Sequence, residues 1–167
     1  RDVNHPTRSG CLAVRAEKFH PHATVDAVYL SSDALEVAKI NLDEHDVEDQ
    51  VTLFEGDLFE PLEGRTYDLI INNPPYVDHE ALEGYPPEFR AEPEMAHDGG
   101  VDGLDLVRRI LADAPVYLNP EGGMICEIGS GREILEEEFP HLDFVWLETA
   151  ESQDAVFWIS AEALGVS

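Results

Sequence analysis

The chain has 167 residues and a formal net charge of −26, which comes from 36 acidic and 10 basic residues. Its apolar share of 43% is that of a folded globular protein, so the composition excludes a disordered chain and predicts one domain. The apolar runs are shorter than the roughly 18 residues of a membrane-spanning helix. The two cysteines have no metal-ligand spacing, and we expect a cytoplasmic protein with free thiols and no metal.

The acidity of the surface constrains the partners of the protein. A net charge of −26 repels phosphate groups, so we expect no direct contact with nucleic acid. Two explanations of the acidity stay open. The surface suits a high-salt cytoplasm, where repulsion between the acids is screened, or it attracts a basic protein partner.

Short apolar segments alternate with amphipathic ones, which predicts an α/β fold with a mostly parallel, doubly wound sheet. Such a sheet needs a central first strand, but residues 1–8 are poor strand material, and a helix over residues 12–19 follows them. Further strands are predicted at residues 24–30, 51–54, 67–71 and 124–128, and further helices at residues 32–44, 104–118 and 134–139. Residues 143–147 and 155–159 are predicted to pair as two antiparallel strands at the end of the chain.

Three details of this pattern predict local structure. The helix over residues 32–44 follows a capping cluster of serines and an aspartate, and we expect its apolar residues on the buried side. Those residues are Leu35, Val37, Ala38, Ile40 and Leu42. Pro115 is expected to distort the next helix or end it early, and Gly122-Gly123 is expected to form the turn into the following strand.

The strongest motif is Asn73-Pro74-Pro75-Tyr76, directly after the predicted strand at residues 67–71. Ligands of open α/β sheets bind outside the carboxyl ends of the strands. An amide nitrogen is a weak nucleophile, so a site that methylates it must orient it. The Asn73 side-chain oxygen and the Pro74 carbonyl oxygen can accept hydrogen bonds from its N–H groups and hold the nitrogen in line with a methyl sulfonium. The prolines stiffen the loop, and Tyr76 offers a flat face for a planar group. The motif therefore predicts methyl transfer to a planar nitrogen.

With this motif the chain resembles the protein-(glutamine-N5) methyltransferases, a family that uses S-adenosylmethionine. The similarity continues through residues 85–90, 92–94, 100–104, 126–129, 144–148 and 156–157. The resemblance implies a Rossmann-like class I methyltransferase fold with an antiparallel C-terminal strand. It also implies N5-methylation of a glutamine side chain in a ribosomal protein, or alternatively in a release factor. The chain then corresponds to a single catalytic domain, without the N-terminal helical domain of the family.

The resemblance also assigns cofactor contacts. The residues concerned are Thr7, Ser9, Gly10, Tyr29, Asp57, Leu58 and Asn73. Ser9-Gly10 matches the turn that approaches the methionine part of the cofactor, because glycine permits close contact. Asp57 matches the acid that meets the adenine amino group, and Leu58 and Phe59 flank the ring.

Departures from the family pattern at three residues support an alternative. Arg8 stands where the family has the first glycine of the turn, and Asn4 stands where it has an acid. Tyr29 replaces the acid that accepts hydrogen bonds from both ribose hydroxyls. A phenol can make one such bond and not two, and the loss of the charged acceptor costs about 1.5–3 kcal/mol. The alternative is a weakened or inactive domain that keeps the fold. The same motif would also suit methylation of a nucleic-acid base amine, but the negative charge of the chain opposes binding of nucleic acid.

Overall fold

A seven-stranded mixed sheet forms the centre of the protein. The computed structural model describes residues 22–45, 47, 49–74, 102–148 and 154–167, together with the backbone of residues 2–4. The strands are β1 (Asp2–Asn4), β2 (Val25–Tyr29), β3 (Val51–Glu55), β4 (Tyr67–Asn72), β5 (Leu118–Glu127), β6 (Val145–Leu147) and β7 (Val156–Ser160). The helices of the described residues are α1 (Ser32–His45), α2 (Asp105–Tyr117) and α3 (Arg132–Glu138), with a 3-10 turn at Glu60–Leu62.

The strands follow the order β3-β2-β1-β4-β5-β7-β6. The pairs from β3 across to β5 are parallel, whereas β7 pairs antiparallel with both β5 and β6. The prediction of a mostly parallel sheet with antiparallel C-terminal strands is thus confirmed. β1 and β4 lie at its centre, so their carboxyl ends meet in the middle of one sheet edge.

The first strand differs from the expectation. Residues 2–4, which look like poor strand material, form a three-residue strand in parallel register with both β2 and β4. Pairing on both sides supplies the backbone hydrogen bonds, so strand formation here depends on the neighbours rather than on local propensity. The predicted helix at residues 12–19 lies outside the described residues.

Helices cover both faces of the sheet, as the alternation within β2 shows. Val25, Ala27 and Tyr29 pack in a smaller core with Ala38 and Leu42 of α1. Val28, from the opposite face of β2, joins a larger core that includes the buried residues of α2 and the inner residues of β4, β5 and β7. Within the described ranges, no helix is long and apolar enough to cross a membrane.

Helix α1 begins as predicted, but its buried stripe is narrower. The Ser31 hydroxyl accepts a hydrogen bond from the backbone N–H of Ala34 at 3.3 Å, as a helix N-cap does. Val37 and Ile40 are 45% and 59% exposed, so the prediction that they are buried is wrong. Ala38 and Leu42, four residues apart, face β2, and the helical turn of about 100° per residue carries Val37 and Ile40 away from that face.

Helix α2 (Asp105–Tyr117) matches its predicted range over residues 104–118, whereas the expected early end at Pro115 and the expected start of β5 are wrong. α2 continues two residues beyond Pro115 to Tyr117. Because Pro115 lies in the last turn, the hydrogen bond that it removes is the one to the Leu111 carbonyl, and the earlier turns of the helix keep theirs. β5 then begins at Leu118, and Gly122-Gly123 lies inside it rather than in a turn before it. A Cβ atom at residue 123 would overlap the ring of Trp158 on β7, so the strand needs glycine there.

Candidate active site at the carboxyl ends of β1, β3 and β4

The predicted substrate motif begins where the central strand β4 ends. β4 closes at Asn72, Asn73 follows as a partly exposed residue, and Pro74 is buried. Asn4 at the end of β1 pairs with Ile71, so the ends of these two parallel strands are neighbours. The structure therefore places Asn73 and Pro74 at the middle of the carboxyl edge. Pro75 and Tyr76 lie outside the described residues, as do Thr7, Arg8, Ser9 and Gly10 on the β1 side.

Asn72 is a polar residue that the sequence reasoning missed. It is 1% exposed, and its neighbour across the sheet is Cys126 on β5. Within the described part of the chain, neither the side-chain nitrogen nor the side-chain oxygen of Asn72 has a hydrogen-bond partner. The signal was present in the sequence as a second asparagine at the end of an otherwise apolar strand, where a buried amide needs partners.

The second predicted segment, around Asp57, lies beyond the end of β3. The backbone N–H of Gly56 donates to the carbonyl of Tyr29 at 3.0 Å, which holds the ends of β3 and β2 together. The Asp57 carboxylate is 35% exposed and accepts a hydrogen bond from Nη2 of Arg109 at 2.6 Å. This ion pair joins the β3–β4 connection to α2. Arg109 is a second residue that sequence reasoning missed, because pairing between separate elements leaves no local pattern.

Leu58 and Phe59 fix the shape of this connection. Leu58 is buried at 5% exposure and has a φ of 49°, a left-handed conformation that is uncommon for a residue other than glycine. The Phe59 ring stacks on Tyr117 of α2, with 4.6 Å between ring centroids. A cavity of about 280 Å³ lies between the connection and α2. Its lining residues are Asp57, Leu58, Phe59, Glu60, Arg109, Asp113, Val116 and Tyr117.

Tyr29 ends β2 on the inner side. It is 1% exposed and packs with Val25, Ala27, Ala38 and Leu42 in the smaller core. The contact between Tyr29 and the ribose therefore stays a prediction, and the burial of the ring opposes it. The position offers a packed aromatic ring where the family pattern has a carboxylate.

An ion-pair cluster fixes the beginning of α2. Arg108 donates to both oxygens of Asp102, at 2.9 and 2.5 Å, and to both oxygens of Glu138 on α3, each at 2.8 Å. The Asp102 carboxylate also accepts a hydrogen bond from the backbone N–H of Leu104 at 3.1 Å. The bonds from Arg108 lower the pKa of Asp102 to about 2, against solvent exclusion that acts in the opposite direction. The cluster joins the start of α2 to the end of α3.

Residues at the end of β5 and on α3 have environments that structure alone explains. Cys126 is fully buried, and burial raises the pKa of its thiol, so it is a core residue. Glu127 ends β5 as a partly buried residue, and Gly129 has a φ of 66°. Glu136, Glu137 and Glu138 are exposed on α3, as expected for a solvated helix face.

The sheet order and its antiparallel final strands define the protein as one with the Rossmann-like class I methyltransferase fold. Solved structures that are similar to the chain show the same architecture. A ribosomal protein L11 methylase from Lactobacillus delbrueckii matches with a TM-score of 0.65 and 17% identity over 95% of this chain and 68% of its own. A methyltransferase from Pyrococcus furiosus matches with a TM-score of 0.67 and 18% identity over 93% of this chain and 73% of its own.

Comparison of the sequence with known proteins adds a family model and curated relatives. The model of the methyltransferase small domain matches residues 8–85. The chain is 60% identical to a ribosomal protein uL3 glutamine methyltransferase of Bradyrhizobium diazoefficiens, over 97% of this chain and 54% of the relative. It is 51% identical to one of Bordetella pertussis, over 98% of this chain and 55% of the relative. The predicted resemblance to the protein-glutamine methyltransferases is confirmed, and the chain spans about half the length of these curated relatives.

Proposed function

We propose that this chain is a catalytic domain that transfers a methyl group from S-adenosylmethionine to the N5 nitrogen of a glutamine in a ribosomal protein. The observation that carries the proposal is the position of Asn73-Pro74 at the carboxyl end of the central strand β4, in a class I methyltransferase fold. The name of the similar proteins, ribosomal protein uL3 glutamine methyltransferase, supports a glutamine of a ribosomal protein as the substrate. The net charge of −26 favours a basic protein substrate in the cytoplasm over nucleic acid.

The chemistry required of the residues follows from the substrate. The lone pair of an amide nitrogen is delocalised, so catalysis depends on orientation and on stabilising the positive charge that develops. The Asn73 side-chain oxygen and the Pro74 carbonyl oxygen accept the two N–H groups of the glutamine and aim its lone pair. Pro75 restricts the loop, and Tyr76 packs against the planar amide. S-adenosylmethionine supplies the methyl group on a sulfonium when it is bound.

The residues at the end of β3 fit the adenine end of this cofactor. Asp57 is partly exposed beyond the strand, and a carboxylate oxygen is the acceptor that an adenine amino group needs. Leu58 lies beside it with an apolar surface. Thr7, Ser9 and Gly10 are proposed to approach the methionine part, and Asn73 is proposed to lie between that part and the substrate.

The experiment is transfer of a radiolabelled methyl group from S-adenosylmethionine to purified ribosomal protein uL3. We expect label in uL3 and its loss when the accepting glutamine is replaced by alanine. A release factor with its own glutamine serves as the comparison substrate. Label that appears only in the release factor would overturn the ribosomal assignment, and label in neither protein would overturn the proposed activity.

One observation favours a second candidate, a methyltransferase-fold domain with impaired cofactor binding. The end of β2 has the buried ring of Tyr29 where the family pattern has a carboxylate for the ribose hydroxyls. The loss of a charged acceptor costs about 1.5–3 kcal/mol, which corresponds to roughly ten- to hundredfold in affinity. This candidate predicts a stable fold whose affinity for the cofactor is roughly ten- to hundredfold lower than a carboxylate at this position would give.

A further inference from the structure

The pairing of Arg109 with Asp57 connects helix α2 to the acid that is proposed to meet the adenine. Nη2 of Arg109 lies 2.6 Å from Oδ2 of Asp57. No hydrogen bond from the described residues engages the other oxygen, Oδ1. The guanidinium thus binds one side of a carboxylate and leaves the second oxygen available to a ligand.

The ion pair of Arg109 and Asp57 contributes little to the stability of the fold. Arg109 is 50% exposed and Asp57 is 35% exposed, and ion pairs with this much solvent contact contribute little to folding. The stack of Phe59 on Tyr117 already joins the same connection to α2. A charged pair beside that stack has a clearer use in fixing the direction of the carboxylate.

The charges around Arg109 support the same use. The hydrogen bond from Arg109 to Asp57 raises the pKa of the guanidinium, and the charges of Asp113 and Glu60 act in the same direction. One cation therefore stands among three carboxylates on the lining of the 280 Å³ cavity. Without it, Asp113 and Glu60 would repel the Asp57 carboxylate and leave its side chain free to turn.

We propose that Arg109 is a positioning residue that holds Oδ2 of Asp57 so that Oδ1 accepts the amino group of adenine. The inference rests on the proposed function, and it adds the basis of purine selectivity. A carboxylate held in this way accepts from the amino group of adenine and repels the carbonyl oxygen that hypoxanthine carries at the same position. Arg109 therefore sets the preference for an adenosyl over an inosyl cofactor without touching either one.

The test compares the binding of S-adenosylhomocysteine and S-inosylhomocysteine by calorimetry, with the wild type and the Arg109→Met variant. The wild type should prefer the adenosyl compound, and the variant should bind it about tenfold more weakly with little preference left. Arg109→Lys should recover part of the preference, because an ammonium also pairs with a carboxylate. The matched control is Arg132→Met, which removes a 37% exposed arginine that pairs with Glu136 and Asp154 elsewhere.

Three outcomes decide the matter. A lost preference in Arg109→Met, together with a retained one in Arg132→Met, supports the positioning role. An unchanged preference in Arg109→Met, even with a lower thermal midpoint, would show a structural role only and overturn this inference alone. Wild-type protein that binds neither compound would overturn the proposed function, and the inference with it.

Discussion

Arg108 donates two hydrogen bonds, of 2.9 and 2.5 Å, to the carboxylate of Asp102 at the point where α2 begins. The same guanidinium reaches Glu138 on α3, so one side chain joins the start of α2 to a second helix. Asp102 also receives the backbone N–H of Leu104. The carboxylate is thus built into the fold in its ionised form.

The pH dependence of stability should report this carboxylate. Its pKa is about 2 in the folded protein and near 3.8 when the chain is unfolded, so its stabilising effect is complete above pH 3.8 and is lost as the pH falls towards 2. Above pH 4, Asp102→Asn should lower the free energy of unfolding by about 1–2 kcal/mol, after allowance for solvent screening. Chemical denaturation from pH 6 to about pH 2 measures the difference between the two proteins.

The matched control is Asp105→Asn, which removes a carboxylate that is 64% exposed and pairs with the same arginine. It should change the free energy of unfolding far less. A difference between wild type and Asp102→Asn that stays constant over the whole pH range would contradict the role of Asp102.

Asn73 should be required for methyl transfer but not for folding. Asn73→Ala removes a side-chain oxygen that is proposed to orient the glutamine, so the rate of transfer should fall by about 10²–10³. The thermal midpoint should stay close to that of the wild type, because the side chain is partly exposed. Single-turnover transfer of radiolabel measures the rate.

Asn119→Ala makes the same substitution at the opposite edge of the sheet. The Asn119 amide donates to Asp68 at 2.7 Å near the beginning of β4. This variant should keep full activity. Equal rates in the Asn73 variant and the wild type would rule out the proposed orientation of the substrate.

The buried amide of Asn72, which has no hydrogen-bond partner among the described residues, should lower the free energy of unfolding. A buried amide without partners carries a desolvation penalty of about 1–3 kcal/mol, and an apolar group of the same shape removes it. Asn72→Leu should therefore raise the free energy of unfolding by about 1 kcal/mol. Denaturation by urea provides the measurement, and a clear loss of stability would mean that the amide has a partner the account does not include.

Salt should stabilise the protein. The net charge is −26, and screening shortens the range of repulsion from about 10 Å at 0.1 M salt to about 3 Å at 1 M. The free energy of unfolding should rise over this interval. Replacement of Glu36, Asp43 and Glu44, which are exposed on α1, by their amides should weaken the dependence.

The two explanations of the acidity make different kinetic predictions. Attraction to a basic substrate predicts that kcat/KM for the ribosomal protein falls as salt rises, because screening slows charged association. A surface that is only suited to a high-salt cytoplasm predicts that kcat/KM rises along with stability. Stability that falls with added salt would contradict the role of repulsion in this chain.

The sequence predicts those features that depend on local pattern. The strand at residues 67–71 and the motif after it are visible because a buried parallel strand is apolar nearly throughout and a turn of prolines ends it. β1 is not visible, since Asp2–Asn4 becomes a strand only between β2 and β4. Val37 and Ile40 show the opposite error, because apolar residues on a helix do not reveal which of them the sheet covers.

The site was predictable in its chemistry but not in its packing. Asn73 and Asp57 follow from their positions after strands and from the family resemblance. The pairing of Asp57 with Arg109 depends on how α2 lies against the β3–β4 connection, which no short segment encodes. The burial of Tyr29 likewise depends on its contact with α1.

The most direct test of the account is calorimetric titration of this chain with S-adenosylmethionine at low and high salt. We expect saturable binding with a dissociation constant in the micromolar range, weakened by Asp57→Ala and stronger where salt stabilises the fold. Absence of heat at millimolar cofactor under both conditions, from protein shown to be folded, would contradict it and leave a methyltransferase fold without its reaction.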